Sequence, residues 1–169
     1  MLKEVLFSVA MRRKYPEWVT FVTTVDAQGR PDVMVAGWAM IASHNPPHFA
    51  IAVGHTRYTH TLIRQQGEFG IAFPSPDMAE AIQYTGTVSG REVPDKFARS
   101  GLQAVEAKVI EPPLIDGCPI NLECRLVGEL EAGDHTIFLG EVVAAYVDES
   151  VETHLLNFDG AFFPAKPAR

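Results

Sequence analysis

The segment His55-Thr56-Arg57-Tyr58-Thr59-His60-Thr61 gathers guanidinium, hydroxyl and imidazole groups between an apolar run and a stretch of good helix formers. A helix N-terminus presents unpaired N–H groups and a positive dipole end, and an arginine there can take two phosphate oxygens at once. These residues therefore fit a phosphate cradle, and a capped helix on a polar surface accounts for them as well. Ser89-Gly90-Arg91, with Lys96 on the next helix, supplies further cations for the same anion or else a solvated loop and helix face. Ala36-Gly37-Trp38-Ala39-Met40 sets very small residues around a tryptophan inside a strand. Glycine weakens a strand unless a ligand or another backbone comes close, so a flat ring could lie along this stretch. A core tryptophan with small neighbours is the other reading.

Other chemistries lack their starting points. The chain has six histidines, but His55 and His60 are five apart and do not share a helix face. With no His-Glu-x-x-His and no Cys-x-x-Cys, no metal site is expected. Cys124 falls on the apolar side of an alternating strand and is expected to be a core thiol, near Cys118. No Gly-x-Ser-x-Gly elbow points to a hydrolase, and no strand is followed by Gly-x-Gly-x-x-Gly opening a helix. His135 stands directly after a turn, where a lone histidine carries little by itself.

The elements that must position these residues are mostly strands. Residues 19–25 and 33–43, separated by Asp26-Ala27-Gln28-Gly29-Arg30-Pro31, read as a β-hairpin. Residues 49–53 and 69–73 are short continuous apolar runs, as in strands buried on both faces. A helix is expected over 59–66 before Gly67, a second over 76–84 closed by Gly86, and a third over 94–100 before Gly101. Residues 105–110 read as a strand. Residues 120–126 alternate, with Ile120, Leu122, Cys124 and Leu126 on a buried face and Asn121, Glu123 and Arg125 on a wet one. A turn at 131–134 leads into a long β-branched strand over 136–147. No linker or repeat interrupts the chain, so one domain over 1–169 is expected, of β-barrel type with short helices across its ends.

Length and composition agree with that class and remove several others. The chain has 169 residues, 47% hydrophobic and 21% charged, ordinary values for one soluble domain, and buries roughly 70% of its surface on folding. A net charge of −7 offers no broad footprint for nucleic acid or an anionic membrane surface. The longest uncharged apolar stretch, residues 33–42, is far short of the roughly 18 residues that span a bilayer. Lys3-Glu4 before and Arg12-Arg13-Lys14 after a short apolar core is the wrong charge order for a secretory signal, so a cytoplasmic protein with reduced thiols is expected.

Taken together, the segments resemble the flavin reductase-like family of FMN-binding split barrels, which includes flavoredoxin and the reductase components of two-component monooxygenases. The resemblance covers residues 16–149. It runs through Val22-Thr23-Thr24, Gly29-Arg30-Pro31, Gly37-Trp38, Ser43, Pro46-Pro47 and Arg57-Tyr58-Thr59-His60. It continues through Gly67-Glu68-Phe69, Ser89-Gly90-Arg91, Asp95-Lys96-Phe97, Leu122-Glu123-Cys124, Gly133-Asp134-His135 and Gly140-Glu141-Val142. Order and spacing carry the match. The resemblance implies a mainly β, six-stranded antiparallel split β-barrel with short connecting helices, which forms a homodimer and binds FMN near the subunit interface. Carried over by position, Gly37, Trp38, Ala39 and Met40 border the flavin ring, while Arg57, Tyr58 and Thr59 hold the phosphate with Arg91 and Lys96. Phe73, Pro74 and Ser75 flank the ribityl chain or ring, and Phe163 covers the cofactor. His135 approaches the ring as the catalytic group, stabilising charge near flavin N1. Two departures stand out: Ala72 replaces a frequent Asn, and Val35 and Gly37 replace frequent Thr or Ser, which leaves backbone groups to bond the flavin there. The implied activity is hydride transfer from NADH or NADPH to FMN, with a monooxygenase or another redox protein receiving the electrons. A flavoredoxin-like carrier with tightly bound FMN and a non-catalytic ligand-binding β-barrel are the alternatives.

Overall fold

The computed structural model describes residues 1–166, so the last three positions of the expected 1–169 domain lie outside the described residues. Twelve strands and four helices follow in order: α1 (Phe7–Met11), β1 (Glu17–Trp18), β2 (Thr20–Val25), β3 (Pro31–Ala36), β4 (Ala39–His44), β5 (Pro47–Gly54), α2 (Tyr58–Gln66) and β6 (Glu68–Phe73). After a 3-10 turn at Pro76–Met78 come α3 (Ala79–Thr87), α4 (Lys96–Ser100), β7 (Ala104–Val105) and β8 (Leu114–Ile115). The chain ends with β9 (Ile120–Ala132), β10 (His135–Val147), β11 (His154–Phe158) and β12 (Ala161–Ala165). Strands hold 45% of residues and helices 19%, so the molecule is mainly β.

Seven strands form one antiparallel sheet in the order β3-β2-β6-β9-β10-β5-β4. This is one more than the six implied by resemblance. The extra strand arises because residues 33–43, expected as one strand, are two: β3 pairs with β2 and β4 with β5. The chain therefore crosses from one edge of the sheet to the other at Gly37-Trp38. Both halves are equally apolar, so composition gives no sign of the break. Gly37 fits because a Cβ there would come within 2.8 Å of Glu17 Oε1.

Strands β2, β3 and β6 each feed two cores. On β2, Phe21 packs with Val33, Ile82, Phe97 and Ile115, while its neighbour Val22 packs with Ile51, Val53, Ile63, Phe69 and Phe138. Alternate side chains of a strand point to opposite faces, so both faces of β2 are covered and all its residues are buried. The β2–β3 turn is set by the Asp26 carboxylate, which accepts from the N–H groups of Gln28 and Arg30. Helix α2 buries Leu62 and Ile63, worth about 1.5–3 kcal/mol each. It ends at Gly67, whose φ of 70° lets its N–H reach Ile63 O at 2.8 Å. On β10, a Cβ on Gly140 would lie 2.5 Å from Phe69 Cζ and 2.9 Å from Cys124 Cβ.

Several sequence expectations change. The second helix starts with a 3-10 turn and runs through Gly86 to Thr87, its C-terminal end packed beside Val35 of β3. The third begins only at Lys96, where Asp95 caps it by accepting from Ala98 N at 2.9 Å. Of the strand expected over 105–110, only Val105 pairs, as the end of the two-residue β7, because the N–H groups of Lys108, Val109 and Ile110 turn instead to Glu123. Of the face of β9 expected to be wet, Asn121 and Glu123 are buried there, whereas Arg125 is exposed as expected. Glu123 is 0% exposed, and the Asn121 side chain exchanges two hydrogen bonds with the Ile115 backbone. The β11–β12 hairpin, which joins β1 in a separate three-stranded sheet, has no counterpart among the expected elements. Among the described residues, no helix is long and apolar enough to cross a membrane.

Candidate functional site

The N-terminus of α2, the buried face of β3, the end of α3 and the loop leading to α4 converge on a cavity of about 180 Å³. Arg57, Tyr58, Thr59 and Lys96 all line it, together with Thr56, Thr87, Ser89 and Gly90. Arg57 is exposed at the N-cap of α2 with extended backbone, φ −73° and ψ 140°. Among the described residues its guanidinium takes part in no hydrogen bond or ion pair. Its charge is nonetheless felt by Lys96, whose pKa burial lowers, the Asp32 carboxylate opposes, and Arg57 lowers further. Two cations directed at one small cavity without a paired acid for Arg57 make a site for an anion.

The cradle has a floor that sequence reasoning did not single out. Asp32 on β3 is buried, accepts from Thr59 Oγ1 at 3.3 Å and lies 3.7 Å from Lys96 Nζ. Lys96 also donates to Thr85 O at 3.1 Å. The only signal in the sequence was a lone acid entering an apolar strand after Pro31. Arg91 lies at the margin: it donates to Thr56 O at 3.0 Å and Thr61 Oγ1 at 3.2 Å and sits over the Tyr58 ring, bracing the start of α2.

A wall of side chains leads from the cradle to an apolar surface. A Cβ on Gly54 would lie 3.5 Å from His135 Nε2 and 3.8 Å from Arg57 Cγ, so these two side chains flank one backbone position. His135 donates from Nδ1 to Asp134 Oδ1 at 2.6 Å, and its ring lies 4.7 Å from the Trp38 ring at an angle of 37°. Beyond Trp38, Gly37, Ala39, Met40, Ala50, Ile51, Ala52, Ile137 and Trp18 line an open cleft of about 450 Å³. The chain from residue 34 to 40 thus borders both regions, with Met34 and Val35 at the cradle and Gly37 to Met40 at the cleft.

Of the remaining expected residues, Phe73 adjoins the apolar cleft, whereas Pro74, Ser75 and Phe163 line neither region. Phe73 lines a neighbouring cleft of about 400 Å³ with Ala39, Met40, Ile41, Phe49 and Trp18, against whose ring it stands edge-on at 5.9 Å. Pro74 O accepts from Leu155 N, and Ser75 Oγ donates to Asp77 Oδ1, so both serve the joint after β6. Phe163 on β12 is exposed and packs against Phe158 at 6.4 Å. Ala72 is buried opposite Phe21 and Asn121 and borders neither cleft. Trp18 was missed because a two-residue strand that pairs with distant β11 leaves no periodic signal. Burial pushes both thiols up, Cys124 to about 12, which leaves them poor nucleophiles.

The donor set fits a phosphorylated flavin. Arg57, Lys96, hydroxyls and a helix N-terminus suit a phosphate monoester, and the adjoining cleft has the apolar lining and the volume of ligand pockets in general.

Comparison with known proteins gives the same direction. Residues 11–166 match the flavin reductase like domain. An uncharacterized protein of Archaeoglobus fulgidus is 42% identical over 114 residues, which cover 68% of this chain and 64% of that protein. The chain spans about half to two thirds of the length of two such curated relatives. Among solved structures, an NADH:FAD oxidoreductase of Streptomyces globisporus C-1027 superposes with a TM-score of 0.85 at 28% identity, covering 99% of this chain and 98% of that one. Flavoredoxin of Desulfovibrio vulgaris (Miyazaki F) superposes with a TM-score of 0.83 at 28% identity, covering 99% and 96%. With its antiparallel split-barrel sheet and a match over nearly its whole length, this chain belongs to the flavin reductase-like domain family.

Proposed function

We propose that the protein binds FMN and catalyses its reduction by NADH or NADPH. The observation that carries this reading is the continuity of the cationic cradle, through Arg57, His135 and Trp38, with the apolar cleft along β4. Bound flavin supplies the chemistry by accepting a hydride at N5. The chain supplies binding and orientation. Arg57, Lys96 and the hydroxyls of Thr56, Thr87 and Ser89 hold the phosphate, and the α2 dipole adds to their field. Trp38, Ala39 and Met40 keep water from one face of the ring. His135, oriented by Asp134, carries Nε2 on the wall where a polar ring edge would meet it. Nicotinamide as hydride donor is supported by the NADH:FAD oxidoreductase likeness.

Trp38, just before the edge strand β4, and Met40 and Ile41 on it are 54%, 61% and 64% exposed, a surface that a second copy of the chain would cover, and a homodimer follows from this reading. Two buried, unpaired cysteines fit a reducing compartment such as the cytoplasm. In this reading reduced FMN leaves to serve a monooxygenase; the flavoredoxin likeness supports a second reading, in which FMN stays bound and passes electrons to another redox protein. Nicotinamide consumption separates the two. With FMN and oxygen present, the reductase reading predicts loss of NADH or NADPH absorbance well above the free-flavin background. FMN uptake without that loss supports the carrier, and no uptake of FMN contradicts both.

A further inference from the structure

Asp32 is, with Glu92, one of two acids lining a pocket whose cations, hydroxyls and helix N-terminus suit an anion. Thr59 Oγ1 donates to its Oδ2, Lys96 Nζ stands 3.7 Å from its Oδ1, and Oδ1 itself is buried without a hydrogen-bond partner. Gly90 closes the remaining side, where a Cβ would collide with Oδ1. Lys96 is only 2% exposed and has one carbonyl, Thr85 O, within hydrogen-bond distance. An ammonium ion has three N–H donors, so one carbonyl and a carboxylate at 3.7 Å leave this buried cation incompletely paired. Burial drives Asp32 up and Lys96 down, and each holds the other toward its charged form. Arg57 and Glu92 bring one further charge of each sign to the same pocket.

We propose that Asp32 is the cradle's own counter-ion: it competes with the phosphate of a flavin mononucleotide for Lys96 and repels that phosphate, which keeps the flavin exchangeable. The inference rests on the reading of this cavity as the phosphate site. A reductase that hands reduced flavin to another protein needs such a brake, because a wholly cationic, enclosed cradle would hold a dianion tightly. Asp32 thus weakens the hold on the phosphate in two ways, by occupying Lys96 and by its own charge on the cavity wall.

The test is titration of wild type and Asp32→Asn with FMN and with riboflavin, which lacks the phosphate, followed by flavin fluorescence, with dissociation rates by stopped flow. Asp32→Asn is expected to bind FMN about tenfold more tightly, with slower release, while riboflavin affinity is unchanged. Equal or weaker FMN binding, or a parallel change for riboflavin, overturns the proposal. If wild type binds riboflavin as tightly as FMN, the reading of the cavity as a phosphate site fails instead. In a second arm, inorganic phosphate should raise the Tm of Asp32→Asn more than that of wild type, because it replaces the lost partner of Lys96. If Asp32→Asn and Asp32→Ser are recovered only unfolded, refolding in phosphate decides: rescue supports the proposal, and failure to rescue overturns it.

Discussion

Replacing Arg57 by alanine separates binding from folding more cleanly than any other change at the cradle. The side chain is exposed, makes no capping hydrogen bond to α2 and has no ion-pair partner among the described residues. Its removal strands no buried group, so stability should change by no more than about 0.5 kcal/mol. Lys96→Met would be a poor probe by comparison, because it would leave Asp32 buried and unpaired, a loss of about 3–5 kcal/mol. A charge-assisted hydrogen bond to phosphate contributes about 1.5–3 kcal/mol, or roughly 10- to 100-fold in affinity. Because water and salt screen an exposed guanidinium, the lower end applies, a loss of about tenfold. Quenching of flavin fluorescence on titration measures it, with riboflavin as the control and Tm as the check on folding. FMN affinity that survives the change, or an equal loss for riboflavin, would refute the assignment of Arg57 to the phosphate.

Two further changes probe the frame that carries the site. Gly140→Ala forces a Cβ against Phe69 and Cys124 and should cost about 1–3 kcal/mol in denaturant unfolding; an unchanged midpoint would mean β10 yields where the structure packs it closely. Glu123→Gln tests the buried carboxylate beneath the 104–119 loop. Burial raises its pKa, but hydrogen bonds from Tyr146 and the N–H groups of Lys108, Val109 and Ile110 outweigh this and leave it below the ordinary 4.5. A lowered folded pKa contributes stability that is complete above that value and is lost as pH falls through the folded value. Wild type should therefore lose stability in acid below about pH 4.5 more steeply than Glu123→Gln, which starts lower at neutral pH; parallel pH profiles would contradict this.

The sequence carried the strands and the cradle better than the surface that adjoins them. Arg57 and Thr59 stood out because a hydroxyl-rich helix start has one structural meaning and a few chemical ones, and Lys96 only as a cation on a later helix that the fold brings to the same cavity. The turns at Gly29, Gly67 and Gly133 were legible because each adopts positive φ, which few other residues tolerate. The break at Gly37-Trp38 was hidden, since both sides of it read as strand. Asn121 and Glu123 misled for a physical reason: alternation reports polarity, and here the polar face is covered by a loop whose backbone N–H and C=O groups it satisfies. Pro74, Ser75 and Phe163 were placed at the cofactor through resemblance, whereas in this chain their contacts belong to the 3-10 turn and the β11–β12 hairpin.

The most direct measurement is a crystal structure of the protein grown with FMN. The phosphate is expected within hydrogen-bond distance of Arg57 and Lys96, with the flat ring against residues 37–40 and the imidazole of His135 at its edge. A phosphate bound anywhere else, or a ring lying away from β4, would contradict the account.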